Sequence, residues 1–166
     1  MNLRLSGVIK ESIVDGPGLR LAIFTQGCPH ACSGCHNPET HDFNGGFIAD
    51  TEKLLAAIDK NPLLSGVTLS GGEPLCQAAA LLPFADSVRA RGKNIMCYTG
   101  YTFEQLVAQA DSDIIALLEK VDILVDGPYI ESKRNLELRF RGSDNQRVLD
   151  MLASLKAGKA VWAKGF

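Results

Sequence analysis

Residues 67–98 read VTLSGGEPLCQAAALLPFADSVRARGKNIMCY, and their pattern decides the fold class. Val67-Thr68-Leu69 is a short apolar strand that runs into Gly71-Gly72. A helical stretch follows to about Arg91, with Gly92 as its C′ residue and Pro83 marking a kink or restart. Ile95-Met96-Cys97-Tyr98 is a second strand. Strand, helix, strand is the signature of a parallel α/β unit.

The same alternation extends in both directions. Leu19 to Phe24 reads as a mostly buried strand. Asp50 caps a helix whose Leu54, Leu55 and Ile58 share one face, and Asn61-Pro62 stops it. Thr102 with Gln105 forms a capping box, and Asp113 to Lys120 is a further helical stretch. Ile123-Leu124-Val125 is a strand ending at Asp126. Ser143 with Gln146 predicts a second capping box. Its helix would carry Val148, Leu149, Leu152 and Leu155 on one side and end at Gly158. Ala160-Val161-Trp162 closes the pattern as a strand. These units are too few for a closed eight-stranded barrel, which takes about 250 residues. An open, partial barrel or a doubly wound sheet remains. Cys28, Gly71, Thr99 and Asp126 all fall at or just past C-terminal strand ends, the edge where α/β folds bind ligands.

With 166 residues the chain is expected to be a single domain spanning 1–166, since domains average about 150 residues. A hydrophobic share of 46% and a charged share of 22% exclude a disordered or collagen-like chain. Against 19 acidic residues stand 17 basic ones, a net charge of −2 that argues against a nucleic-acid partner. No apolar run approaches the roughly 18 residues of a membrane helix. Arg4, Lys10 and Glu11 interrupt any signal-peptide core, so a cytoplasmic location is expected.

Five cysteines make an odd count, and Cys28, Cys32 and Cys35 fall within eight residues. The loop, residues 27–38, carries the spacing Cys-x3-Cys-x2-Cys. Such clustering points to metal or redox chemistry rather than a disulfide framework. Three thiolates can hold three irons of a 4Fe–4S cluster and leave the fourth open to another ligand. A Cys3His zinc site using His30 or His36 is the alternative, as are unligated thiols. Cys76 and Cys97 sit in apolar patterns and read as buried packing residues. Gly71 and Gly72 allow a close backbone approach to a ligand, although Ser70 to Pro74 alone is also a plain turn.

The cysteine loop after a strand, followed by Gly71-Gly72-Glu73-Pro74, resembles the radical S-adenosylmethionine (SAM) superfamily. Many members carry an aromatic residue before the third cysteine, where this chain has Gly34. Further segments narrow the likeness: Asp15-Gly16-Pro17-Gly18-Leu19-Arg20, Tyr98-Thr99-Gly100-Tyr101, Asp126-Gly127-Pro128-Tyr129 and Arg139 to Arg147. Together, from about Ile9 to Val148, they resemble the activating proteins of anaerobic (class III) ribonucleoside-triphosphate reductases.

The resemblance implies an open βα barrel of the radical SAM type. It implies a 4Fe–4S cluster on Cys28, Cys32 and Cys35, and SAM held at Gly71, Gly72, Glu73 and Pro74, with Thr99, Asp126 and His36 as further cofactor contacts. It also implies two partners: the large reductase subunit and a reduced flavodoxin or ferredoxin-type donor. No acid–base pair is needed, and all three histidines lie between 30 and 41. A 7-deazaguanine-pathway synthase, a different glycyl-radical activase and a non-catalytic zinc or iron–sulfur module are the rivals. Lys133 to Arg147 holds five basic residues and reads as a solvated charged face, a docking patch for the reductase or a contact to the SAM carboxylate, the last aided by the helix predicted at Ser143.

Overall fold

The computed structural model describes residues 1–166. Seven strands form one mixed sheet in the order β3-β1-β2-β4-β5-β6-β7. β1 (Asn2–Ser12) and β2 (Arg20–Thr25) form an antiparallel hairpin, and β3 (Phe47–Asp50) adds an antiparallel edge to β1. β2, β4 (Gly66–Gly71), β5 (Asn94–Tyr98) and β6 (Ile123–Asp126) run parallel. β7 (Arg147–Asp150) closes the far edge antiparallel to β6.

Helices α1 (Thr51–Lys60), α2 (Ala78–Ala90), α3 (Phe103–Gln109) and α4 (Ser112–Leu118) fill the crossovers, and α5 (Met151–Ala157) follows β7. Local chemistry sets their starts. Asp50 accepts from the Glu52 N–H, and Thr102 and Gln105 complete their reciprocal capping box. α2 runs unbroken through Pro83, so the proline does not restart it. It lies on the solvent side of the helix, where water can replace the single missing backbone bond.

Alternation along the strands divides the core. One face presents Leu21, Ile23, Val67, Leu69, Ile95, Cys97, Leu124 and Leu149 to the helices, as the main core. The other face carries Met96, Val125 and Val148 beneath Tyr98, Phe140 and Phe166. Arg20 is wholly buried on that second face. Its Nε donates to Thr68 Oγ1 at 2.7 Å, Nη1 to the Pro17 carbonyl at 3.0 Å and Nη2 to the Val67 carbonyl at 2.9 Å. The Asp15–Gly18 turn is thus pinned over the sheet by its own arginine. Burial lowers the Arg20 pKa to about 10, so it remains charged at neutral pH.

The expected helix at Ser143 is absent. Half of a capping box exists, since Gln146 Oε1 accepts from the Ser143 N–H at 3.2 Å. The Ser143 hydroxyl, however, accepts from the Ile130 N–H, bridging two loops. Val148 and Leu149 are buried partners of Val125 and Leu124, so this stretch is β7. The helix starts at Met151, where Asp150 accepts from the Ala153 N–H. No helix N-terminus therefore stands at Ser143 to attract an anion. Trp162 forms only an isolated bridge to Leu149. Cys97 is buried as expected, whereas Cys76 is exposed on a turn of 3-10 helix.

Candidate active site

The parallel strands deliver their C-terminal ends to one edge, and a cavity opens there. Its wall includes Cys28, Cys32 and Cys35, Gly71 and Gly72, Thr99 and His36. These are seven of the residues expected from the sequence. His30, Tyr98, Tyr129 and Gln146 also line it.

The cysteine loop leaves β2 and is tied down on two sides. Gly27 N donates to the Thr40 carbonyl at 2.7 Å, and Cys28 N to the His41 carbonyl at 3.3 Å. Glu73 N donates to the Gly27 carbonyl at 2.8 Å, which joins the loop to the turn after β4. That turn admits no side chain at Gly72, since a Cβ there would collide with the carbonyl of Gly27. The Gly-Gly pair is therefore needed for backbone-on-backbone packing as well as for any ligand.

Glu73, Pro74 and Asp126, expected as SAM contacts, stand behind the cavity wall. Glu73 is wholly buried and accepts four hydrogen bonds. Oε1 receives His30 Nε2 at 2.6 Å, Thr99 Oγ1 at 2.8 Å and Gly100 N at 2.9 Å; Oε2 receives Leu75 N at 3.1 Å. Pro74 is buried at the start of the following turn. Asp126 is wholly buried, accepts from Phe103 N at 2.8 Å and pairs with Arg147 at 2.5 Å. Arg147 also reaches Glu104 at 2.7 Å. The hydrogen bonds that Arg147 donates to Glu104 and Asp126 push its pKa further up, and the bond accepted from Arg147 pulls Glu104 down.

The basic segment is largely committed as well. Arg139 lies over Phe140 and Phe166, and Arg141 lies over Trp162 at 5.3 Å. Lys133 and Arg134 remain exposed.

The donor set suits an iron–sulfur group. Burial raises the Cys28 thiol pKa, while the backbone N–H groups of His30 and Ala31 oppose that shift. The three thiols share one cavity. A 4Fe–4S cube takes each thiolate on a separate iron. His30 is engaged by Glu73, and the His36 ring meets the Tyr129 ring edge-on at 5.1 Å. The cavity wall also holds a buried ring nitrogen with no partner, Nε2 of His41.

Comparison with known proteins gives the class first. The family described as "4Fe-4S single cluster domain" matches residues 14–149. Three relatives then narrow it, each named anaerobic ribonucleoside-triphosphate reductase-activating protein. The Pasteurella multocida protein is 38% identical over 145 residues, 82% of this chain and 90% of that one. The Haemophilus influenzae protein is 34% identical over 82% of this chain and 90% of its own. The enterobacteria phage T4 protein is 37% identical over 81% and 86%. The chain belongs to this family of single-cluster 4Fe–4S reductase-activating proteins. Among solved structures, QueE from Escherichia coli gives a partial likeness, with TM-score 0.49 and 23% identity over 61% of this chain and 54% of that chain. The family match sets aside the Cys3His zinc site.

Proposed function

We propose that this protein activates an anaerobic ribonucleoside-triphosphate reductase by generating a glycyl radical in it. The observation that carries the reading is the convergence of Cys28, Cys32 and Cys35 with Gly71, Gly72 and Thr99 on one cavity. Cys28, Cys32 and Cys35 would hold a 4Fe–4S cluster, leaving one iron for SAM. When bound, this pair supplies one-electron cleavage of the sulfonium, giving methionine and a 5′-deoxyadenosyl radical that takes hydrogen from a glycine Cα of the reductase.

The chain's own task is placement and exclusion of water. In this reading Gly71, Gly72, Thr99 and His36, which line the cavity, would meet SAM, and Glu73, Pro74 and Asp126, which do not line it, would support that wall. The whole chain, 1–166, is read as one radical SAM domain, an open βα barrel. The order β2-β4-β5-β6 supports this, because successive crossovers advance in one direction. Crossovers that advance one way in a parallel sheet carry their helices on one face of it. A reduced flavodoxin or ferredoxin-type protein is the proposed electron donor, in the cytoplasm. No helix is long and apolar enough to cross a membrane. The net charge of −2 supports a protein partner over nucleic acid.

The test is anaerobic reconstitution with iron and sulfide, then reductant, SAM and the reductase, with 5′-deoxyadenosine and the glycyl radical quantified. Wild type should yield both, and Cys32→Ala neither. Equal product from Cys32→Ala, or one zinc in place of about four irons, would overturn the reading.

A further inference from the structure

Glu73 belongs to the Gly-Gly-Glu-Pro segment, yet its carboxylate has no face toward the cavity. We propose that Glu73 is a positioning residue that, through His30, Thr99 and Gly100, holds the cysteine loop against the end of β5 and so sets the spacing between the cluster half and the SAM half of the site. The proposal rests on the activase reading above.

Three separate backbone segments meet at this carboxylate. His30 comes from the Cys28–Cys32 arc, Thr99 and Gly100 from the end of β5, and Leu75 from the turn after β4. All four partners donate. The site demands a side chain that only accepts, and a carboxylate meets that demand at both oxygens. This assigns the hydrogen of His30 to Nε2. Glutamine keeps the size of Glu73 but would set an amide NH2 against either the Leu75 N–H or the three donors on the other side. Aspartate is one methylene too short to reach all of them.

His30 is clamped as tightly as the acid that holds it. Its ring meets the Tyr101 ring edge-on at 4.5 Å and 75°. Gly100 has no room for a Cβ, which would come within 2.5 Å of the His30 ring. The next residue, Ala31, has φ 47°, a left-handed conformation that a non-glycine residue keeps only when its surroundings impose it. On this proposal the fixed imidazole at position 30 holds that conformation. The arc that spaces Cys28 from Cys32 is therefore shaped by Glu73, some forty residues away in the chain. A residue of this kind contributes through geometry, as outer partners of metal ligands do elsewhere.

The experiment uses four variants: Glu73→Gln, His30→Phe, His30→Gln and, as a remote control, Ile58→Ala in the buried face of α1. His30→Phe keeps a ring against Tyr101 but removes the donor; His30→Gln restores a donor. The readout is the electron paramagnetic resonance spectrum of the reduced cluster, titrated with SAM. Glu73→Gln and His30→Phe should retain wild-type iron content but need about tenfold more SAM for half of the spectral change, the effect of losing one charge-assisted bond. His30→Gln should recover most of the loss, and Ile58→Ala should melt earlier with no change in the titration. Half-saturation within twofold of wild type in both Glu73→Gln and His30→Phe would overturn the proposal.

Amide hydrogen exchange on the metal-free protein gives a second, SAM-independent reading. Exchange in residues 27–36 and 98–101 should speed up in Glu73→Gln and His30→Phe alone; unchanged exchange would overturn the brace. A wild-type spectrum indifferent to SAM would instead overturn the activase reading, and the exchange data would still decide the brace.

Discussion

Glu73 and Asp126 are both wholly buried carboxylates at the C-terminal edge of the sheet, two strands apart, and they are held in opposite ways. Asp126 faces a full guanidinium, Arg147, itself shared with Glu104. Glu73 faces no arginine or lysine; two backbone N–H groups, a hydroxyl and an imidazole surround it. Asp126 thus fastens β6 to β7 and to the start of α3, a matter of stability. Glu73 fastens two loops that form the cavity wall, a matter of site geometry. A buried acid near a cofactor site need not touch the cofactor, and its partners reveal which task it has.

The largest expected effect is at Asp126. Asp126→Asn would turn an amide NH2 toward Arg147 and leave that guanidinium balanced by exposed Glu104 alone. Arg147 is one quarter exposed, so the loss should be about 2–4 kcal/mol, somewhat below that of a fully buried pair. Thermal unfolding would show it as a fall of about 2–4 °C for each kcal/mol. The SAM titration of the surviving folded protein should match wild type. A titration that shifts while the melting point stays put would return Asp126 to the cavity wall and erase the contrast with Glu73.

A middle-sized effect sharpens the contrast by pairwise replacement. Arg147→Met combined with Asp126→Leu removes both charges of one pair. Apolar substitutes often restore a buried ion pair's contribution, so the double variant should recover much of the single losses, with a coupling of about 1–3 kcal/mol, short of the one Phe103 N–H that loses its acceptor. Less can be recovered at Glu73, where two backbone donors, the Gly100 and Leu75 N–H groups, and the Thr99 hydroxyl remain whatever replaces the pair, against the single Phe103 N–H at Asp126. Glu73→Leu with His30→Leu should stay destabilised in chemical denaturation. Recovery there would mean that the backbone donors find water, and that the two carboxylates are alike after all.

The ends of the parallel strands were legible in the sequence because each is a short apolar run followed by a glycine, a polar residue or a cysteine. Continuous burial on both faces writes itself as a continuous apolar run. The sheet edges were not legible. β1 alternates only loosely and carries Lys10 and Glu11, and most of β3 is exposed, so neither presents a clean period. β7 reads as helix from the sequence because Ser143 and Gln146 have the spacing of a capping box, of which the structure forms only half, beside a loop bridge. The cysteines and glycines of the site could be named because spacing and backbone freedom are local properties. The duties of Glu73 and Asp126 could not. Whether an acid at a strand end faces a ligand or a buried donor depends on Arg147 and His30, which lie 21 and 43 residues away in the chain.

The smallest effect concerns the outer arm of the Asp126 pair. Glu104 bonds Arg147 through both oxygens, at 2.8 and 2.7 Å, but its side chain is 60% exposed. Water and salt screen such a contact, so Glu104→Gln should lose about 0.3–1 kcal/mol. The bond to Arg147 holds the folded pKa of Glu104 below its usual value. A depressed carboxylate stabilises fully above its unfolded pKa, about 4.3, and that stabilisation fades as pH falls through the lower folded value. The difference in stability between wild type and Glu104→Gln should therefore be constant from pH 7 down to about 5 and vanish as the acid protonates. Raising the salt should shrink it at pH 7, since the Debye length falls from about 10 Å at 0.1 M to about 3 Å at 1 M. A difference that survives both low pH and high salt would mean that Glu104 acts by packing and that Asp126 alone neutralises Arg147. The Asp126→Asn loss would then move to the top of its expected range.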